Sequence, residues 1–254
     1  MDNDYITVAE PKEITALREF YETNDLVYEW TFLGPTAVEA GPDVVARGGH
    51  ITELRIMCGV TNLEPLAALT ALEKLDIDHS LIDDLNPLAN LTNLTSLALF
   101  KSPCDLSPLA GLTNLTSLEL HGDKLDCIRD LSPLAGLTKL TSLKLSGNWI
   151  KDLNPLANLT ALDDLWLDYN DISDLAPLKN LIGLTRLALT SNRVADLEPL
   201  AHLINLVSLD LDKNPLVDLA PLLRLPRLRD ISVSAKPGLD LTPLQEIRNR
   251  PKIS

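Results

Sequence analysis

The sequence predicts an α/β repeat solenoid, and three observations predict it. A leucine pattern returns about every 22 residues from Ile51 almost to the C-terminus, a Pro stands at one place in each period, and a short apolar–polar alternation precedes it. The pattern is plainest in LTNLTSLALF (Leu91 to Phe100), LTNLTSLEL (Leu112 to Leu120), LTKLTSLKL (Leu137 to Leu145), LTALDDLWL (Leu159 to Leu167) and LIGLTRLAL (Leu181 to Leu189). A fixed period of that length means stacked coils, each burying its apolar edge only against its neighbours, so the molecule is chiefly an extended surface. A chain of 254 residues would suit one or two ordinary domains, but a continuous repeat implies one elongated unit. The expected division is an N-terminal cap over 1–47, nine repeats over 48–246 and a C-terminal cap or tail over 247–254.

The elements follow in order. A solenoid needs caps because its terminal coils lack an outer neighbour. PKEITALREFYET, residues 11–23, reads as a short helix with Ile14, Leu17, Phe20 and Tyr21 on one side. LVYEWTF alternates Leu26, Tyr28, Trp30 and Phe32 against Val27, Glu29 and Thr31, the period of a strand. Its aromatic residues are expected to shield the first coil. At the other end, TPLQEIRNR reads as a last helical turn, with Arg248 and Arg250 keeping that end wet.

One coil, Leu137 to Asn158, shows the design: LTKLTSLKLSGNWIKDLNPLAN has apolar residues at positions one, four, seven, nine, fourteen, seventeen and twenty. Leu143 and Leu145 alternate with Lys144, which predicts a short strand with one face buried. Such strands would stack as a parallel sheet at about 4.8 Å spacing, and nine coils would extend roughly 40 Å. Position twelve is Asn148, Asn170, Asn192 and Asn214 in successive coils, where an amide can satisfy a buried turn's donor and acceptor. Pro recurs at position nineteen from Pro65 to Pro243, often after a capping residue such as Asn86, Ser107, Ser132, Asn154 or Thr242, which predicts a very short helix or 3₁₀ turn. Asp stands three residues before that Pro in eight coils, Asp84 to Asp240, a spacing suited to a turn-closing carboxylate.

The unit LTNLTSLxLxxNxIxDLxPLAN resembles the 22-residue leucine-rich repeat of the internalin-like and protein-phosphatase-regulator-like class, over roughly residues 48–246. The resemblance implies a curved right-handed superhelix with a parallel sheet on the concave face and short 3₁₀ or helical turns on the convex side. It also implies a protein that binds other proteins, and a bacterial origin of the internalin type. A surface-anchored internalin would carry a signal and a C-terminal sorting region, and the chain shows neither. Three coils depart from the unit: the first and third are one residue short, and the fourth gains three residues in LHGDKLDCIRDL. These coils lack the position-twelve Asn, as does the second, with Ser80 and Asp123 filling the slot in the second and fourth. The N-terminal half should therefore be less uniform than the C-terminal half.

Composition narrows the function. A net charge of −14 argues against binding along a nucleic-acid backbone or docking on an anionic membrane. Residues 1–47 carry ten acids and three bases, and residues 224–254 seven bases and three acids. Either these are solvated ends, or the acidic body steers a basic partner towards the protein. MDNDYITVAEPKE lacks the basic start and apolar core of a secretory signal, and no stretch approaches the roughly 18 apolar residues of a membrane span. A cytoplasmic location is expected. Three cysteines in no tight motif agree with a reducing compartment. The Asn-Leu-Thr triplets at Asn90, Asn93, Asn114 and Asn158 are products of the repeat rather than glycosylation sites.

The candidate surface, by the resemblance, is the sheet face at positions six, eight and ten. The sixth coil stands out there, with Asp164, Trp166, Asp168, Tyr169 and Asp171 close in sequence, Trp149 one coil earlier and Arg186 one coil later. Exposed aromatics ringed by charge suit an interface hot spot. Phe100, His121, Lys144, Asp210 and Asp212 complete the expected protein-binding set. Catalysis finds little support: His50, His79, His121 and His202 form no HExxH, no Ser or Cys motif accompanies them, and no glycine-rich phosphate loop occurs. No cofactor or metal is expected. The reading is a non-catalytic monomeric scaffold whose concave face binds a protein, with an inhibitor or immunity-type role as its sharper form. The alternative is a metal-binding protein or enzyme using the irregular third and fourth coils, where Cys104 and Cys127 come from adjacent coils.

Overall fold

The computed structural model describes residues 5–7, 11–26, 32–34, 37–39, 44–57, 59–78, 81–101, 103–122 and 128–250. Near the N-terminus, β1 (Tyr5–Thr7), β2 (Phe32–Gly34) and β3 (Ala37–Glu39) form a three-stranded antiparallel sheet in the order β1-β3-β2, and α1 spans Pro11–Thr23. A hairpin then joins β4 (Val44–Arg47) to β5 (His50–Ile56) through Gly48 and Gly49, which take φ of 59° and 86°. One strand follows per coil: β6 (Lys74–Ile77), β7 (Ser96–Phe100), β8 (Ser117–His121), β9 (Ser142–Lys144), β10 (Asp164–Trp166), β11 (Arg186–Ala188), β12 (Ser208–Asp210) and β13 (Asp230–Ser232). The sheet runs β4 to β13 in chain order. β5 to β13 are parallel, and β4 closes the N-terminal edge as an antiparallel strand.

Parallel neighbours need a crossover, and right-handed crossovers wind the chain into a leucine-rich-repeat superhelix with this sheet on its concave side. Proline-started 3₁₀ turns, from Glu64–Ala68 to Ala220–Arg224, line the opposite side. Leucine sets the spacing. In the fifth coil Leu137, Leu140, Leu143, Leu145, Ile150, Leu153 and Leu156 are all buried, and Leu143 pairs in register with Leu118 and Leu165. The irregular coil lengths leave that register intact: Glu119 still faces Lys144 across the insertion in the fourth coil. Strand length does vary, with five residues in β7 and β8 against three in each of β9 to β13.

The asparagines bond to backbone rather than to one another. Asn170 Oδ1 accepts from Ile150 N–H at 3.0 Å, while its Nδ2 donates to the carbonyls of Leu145 and Leu167. Asn148, Asn192 and Asn214 repeat the arrangement, each stitching its own coil to the one before. A second ladder runs along positions two to five, where Asn93 and Asn114 donate to Thr70 and Thr92 carbonyls, and the Thr116 and Thr141 hydroxyls donate to Thr95 and Thr116. Two of the Asn-Leu-Thr asparagines therefore serve the coil repeat.

Of the two expectations for the turn, the turn-closing Asp holds and the capping residue before Pro does not. The residue before each Pro is the first of the 3₁₀ turn, or of α2 at Thr242, rather than its cap; its own N–H donates to the Asp two residues earlier, as in Asn86 to Asp84 and Thr242 to Asp240. All eight predicted aspartates do this, and Asn62 takes the same place in the first coil, accepting from Glu64 N–H at 2.8 Å. An acceptor ahead of the turn reaches its first orphan N–H, which a side chain within the turn cannot.

α1 buries Ile14, Leu17, Phe20 and Tyr21 against the first coil. Two buried polar residues lock it there. Glu13 accepts from Ile51 N–H at 2.9 Å and meets His50, and Asn24 accepts from Thr61 and Asn62 N–H at 2.7 and 2.8 Å. At the far end α2 (Thr242–Arg248) covers the last 3₁₀ turn, and Arg250 donates to the carbonyls of Leu225 and Leu223. Arg250 is thus a backbone clamp as well as a charged end. Tyr28 and Trp30 of the expected capping strand, with Cys58, His79, Ser80, Asp123 and Cys127, lie outside the described residues. Among the described residues no helix is long and apolar enough to cross a membrane.

Candidate functional site

Alternation places positions six, eight and ten of every coil on the concave sheet face. Position eight runs Arg55, Asp76, Ala98, Glu119, Lys144, Trp166, Ala188 and Asp210 through successive paired strands. Beyond the last strand residue the bonding continues, with Tyr169 N–H donating to Thr190 and Ser191 N–H to Asp212. Asp168, Thr190 and Asp212 therefore stay aligned at position ten.

Seven side chains form a continuous path across β7 to β11. The Phe100 and His121 rings stack with centroids 4.8 Å apart, and His121 Nε2 lies 2.7 Å from Glu119. The other Glu119 oxygen accepts from Lys144 at 2.9 Å, and the Lys144 ammonium sits 5.6 Å over the Trp166 ring. Trp166 Nε1 donates to Asp164, which also accepts from Arg186 at 3.0 Å. Trp166 remains 40% exposed, while Asp164 beneath it is 9% exposed. A desolvated carboxylate with two donors thus props an accessible indole. Burial pulls the Glu119 carboxyl upward, but its bonds from Lys144 and His121 outweigh this and hold it below the ordinary value.

The carboxylates further along behave differently. Burial raises Asp168, whose Oδ1 accepts from Thr190 N–H at 2.7 Å. Burial also raises Asp210, and repulsion from Asp212 and Asp230 adds to it. Asp212 accepts from the hydroxyls of Ser232 and Ser234.

Two expected residues lie off the sheet face. Trp149, at position thirteen, follows the buried Asn148 and so sits on the rim, with Arg129 5.9 Å over its ring. Tyr169 turns onto the same rim, because position eleven adopts a left-handed backbone: Gly147, Tyr169, Ser191 and Lys213 have φ of 80°, 57°, 59° and 56°. Trp149, Tyr169, Asp171 and Arg193 line one shallow recess there, and Arg193 pairs with Asp171 at 2.8 Å. The expected cluster is therefore a sheet-face site around Trp166 and a rim site around Trp149 and Tyr169. Sequence reasoning left out Glu119, the link between His121 and Lys144. Its signal was the adjacency of Glu119 and Lys144 in the position-eight row. Among the described residues no group of three or more His, Cys, Asp or Glu could hold a metal ion, and Cys104 is exposed.

Comparisons with known proteins agree with this geometry. The family model described as Leucine Rich repeats (2 copies) matches residues 138–180. The chain is similar to internalin C2 of Listeria monocytogenes at 31% identity and a TM-score of 0.69, covering 90% of this chain and 99% of that one. It is similar at 35% identity to an internalin (inlF) of the same organism, with a TM-score of 0.67 and 74% of this chain covered. It spans only 55% of that protein's length. The Arabidopsis receptor kinase HAESA shares the fold at 23% identity and a TM-score of 0.67, over 87% of this chain and 41% of that one. No curated protein matches. The leucine ladder, the one-strand coil and full-length overlap with an internalin at this identity lead to one assignment: the chain belongs to the internalin-like leucine-rich-repeat family.

Proposed function

We propose that this chain is a non-catalytic scaffold that binds a protein partner through its concave face. The observation that carries the reading is Trp166, an exposed indole on the sheet face held by the buried Asp164. An aromatic side chain already fixed in place loses little entropy on binding, which is what an interface hot spot requires. HAESA, which has the same fold, was solved in complex with a peptide hormone and a co-receptor. The net charge of −14 favours a basic partner, consistent with an inhibitor or immunity-type role for a cytoplasmic monomer.

Affinity capture from native extract tests this, comparing the wild type with Trp166→Ala on the sheet face and, separately, Tyr169→Ala on the rim. A protein retained by the wild type and lost from the folded Trp166→Ala variant supports the concave site. Equal retention moves the contact to the caps or the convex side and defeats the reading.

A further inference from the structure

The concave face has two electrostatically different halves. Towards the N-terminus acids of this face are ion-paired: Glu53 with Arg47 at 2.7 Å and Lys74 at 3.2 Å, Asp76 with Arg55 at 3.2 Å although burial still raises its carboxyl, and Glu119 with Lys144 at 2.9 Å. Beyond β10 this stops. Asp168, Asp210, Asp212 and Asp230 have no ion pair among the described residues, and the Asp210 carboxylate has no hydrogen bond there either.

Shape singles out one place within that half. At positions eight and ten β11 contributes only Ala188 and, in line with it, Thr190, both short, while its Arg186 at position six is drawn aside to Asp164 at 3.0 Å. Trp166 and Asp168 stand on the β10 side and Asp210 and Asp212 on the β12 side. Two strand spacings separate the walls, about 10 Å. Ala188, at 5% exposure, forms the floor of a furrow rather than an open surface. The flanking strand on the other side of β10 is β9, whose Lys144 already lies over the Trp166 ring.

We infer that this furrow receives an arginine side chain from an extended basic segment of the partner. The inference rests on the concave-face reading and adds the chemistry of the occupant. A guanidinium is planar, matches carboxylates with its forked donors and stacks on an indole, so one group satisfies both walls. An apolar residue would leave Asp210 unpaired and desolvated, and a carboxylate would be repelled. Burial and repulsion from neighbouring carboxylates raise Asp168 and Asp210 from their ordinary values, a strain that an incoming cation would relieve.

The test uses a short labelled peptide of alternating arginine and glycine, with a citrulline counterpart that keeps the shape and loses the charge. The full chain should bind the arginine peptide at least about tenfold more tightly than the citrulline one. Asp210→Asn/Asp212→Asn should lose about tenfold, while the charge-matched Glu53→Gln/Asp76→Asn should lose less than about threefold. Ala188→Gln, which fills the floor without changing charge, should weaken binding as the first pair does. Equal losses in the two charge-matched variants would reduce the effect to net charge and overturn the furrow. So would no preference over citrulline, or undiminished binding by Ala188→Gln. A captured partner that depends on Trp166 but not on Asp210 and Asp212 would overturn the furrow alone; one indifferent to Trp166 would defeat the concave-face reading itself.

Discussion

The indole Nε1 of Trp166 donates to Oδ1 of Asp164 at 2.7 Å, two residues back on the same strand. Residues two apart on a strand share a face, so the bond lies along the sheet surface and fixes the ring there. The same oxygen accepts from Arg186 in the next coil, which keeps the carboxylate in position when the indole is removed. Trp166→Ala should therefore leave thermal stability nearly unchanged while costing about 2 kcal/mol or more of partner binding. Melting curves beside a titration with the captured partner check this; a large drop in melting temperature would show the indole to be structural.

Leu143 has a different role. It is fully buried between Leu118 and Leu165, and neither neighbouring coil can collapse inward without breaking its own ladder. Leu143→Ala should destabilise the chain by about 2–5 kcal/mol in urea denaturation. Unchanged stability would contradict the coil register.

Asn170→Ala removes the acceptor for Ile150 N–H and the donor for the Leu145 and Leu167 carbonyls. These groups are buried beneath the rim, so the expected cost is about 2–3 kcal/mol. Hydrogen exchange should quicken first at Ile150; protection equal to wild type there would mean that water replaces the amide without loss.

Asp210 makes stability depend on pH in a direction opposite to that of most carboxylates. Its folded value is raised above the ordinary 3.8 by burial and by Asp212 and Asp230, so the folded chain holds the proton more tightly than the unfolded one. Its ionisation costs stability above the folded value, and the cost disappears as pH falls towards 3.8. Asp210→Asn should raise the melting temperature at pH 7 and differ little from wild type below that ordinary value. A variant less stable at pH 7 would show Asp210 to be favourably placed in the folded chain.

Much of the architecture was legible because the repeat is local. Leu143 and Leu145 around Lys144 mark a strand, Asn148 a buried turn, and Pro155 the 3₁₀ turn. The Asp152 carboxylate was legible as the acceptor that closes the turn, but Asn154 reads as a cap along the chain and only the backbone path shows it to be the donor to Asp152. Trp149 and Trp166 fall in different rows, thirteen and eight, but the sequence does not say what row thirteen faces. The turn at Asn148 sends one to the rim, while strand alternation keeps the other on the sheet.

The sequence by itself determined the coil, its buried positions and the row to which each surface residue belongs, because each coil repeats the same short-range chemistry. Tertiary structure alone decided which charges neutralise one another. Glu119 and Lys144 are 25 residues apart and meet at 2.9 Å, whereas Asp210 and Asp212 find no cation among the described residues. Side chains in adjacent coils meet according to strand register and rotamer, and those follow from stacking rather than from proximity along the chain.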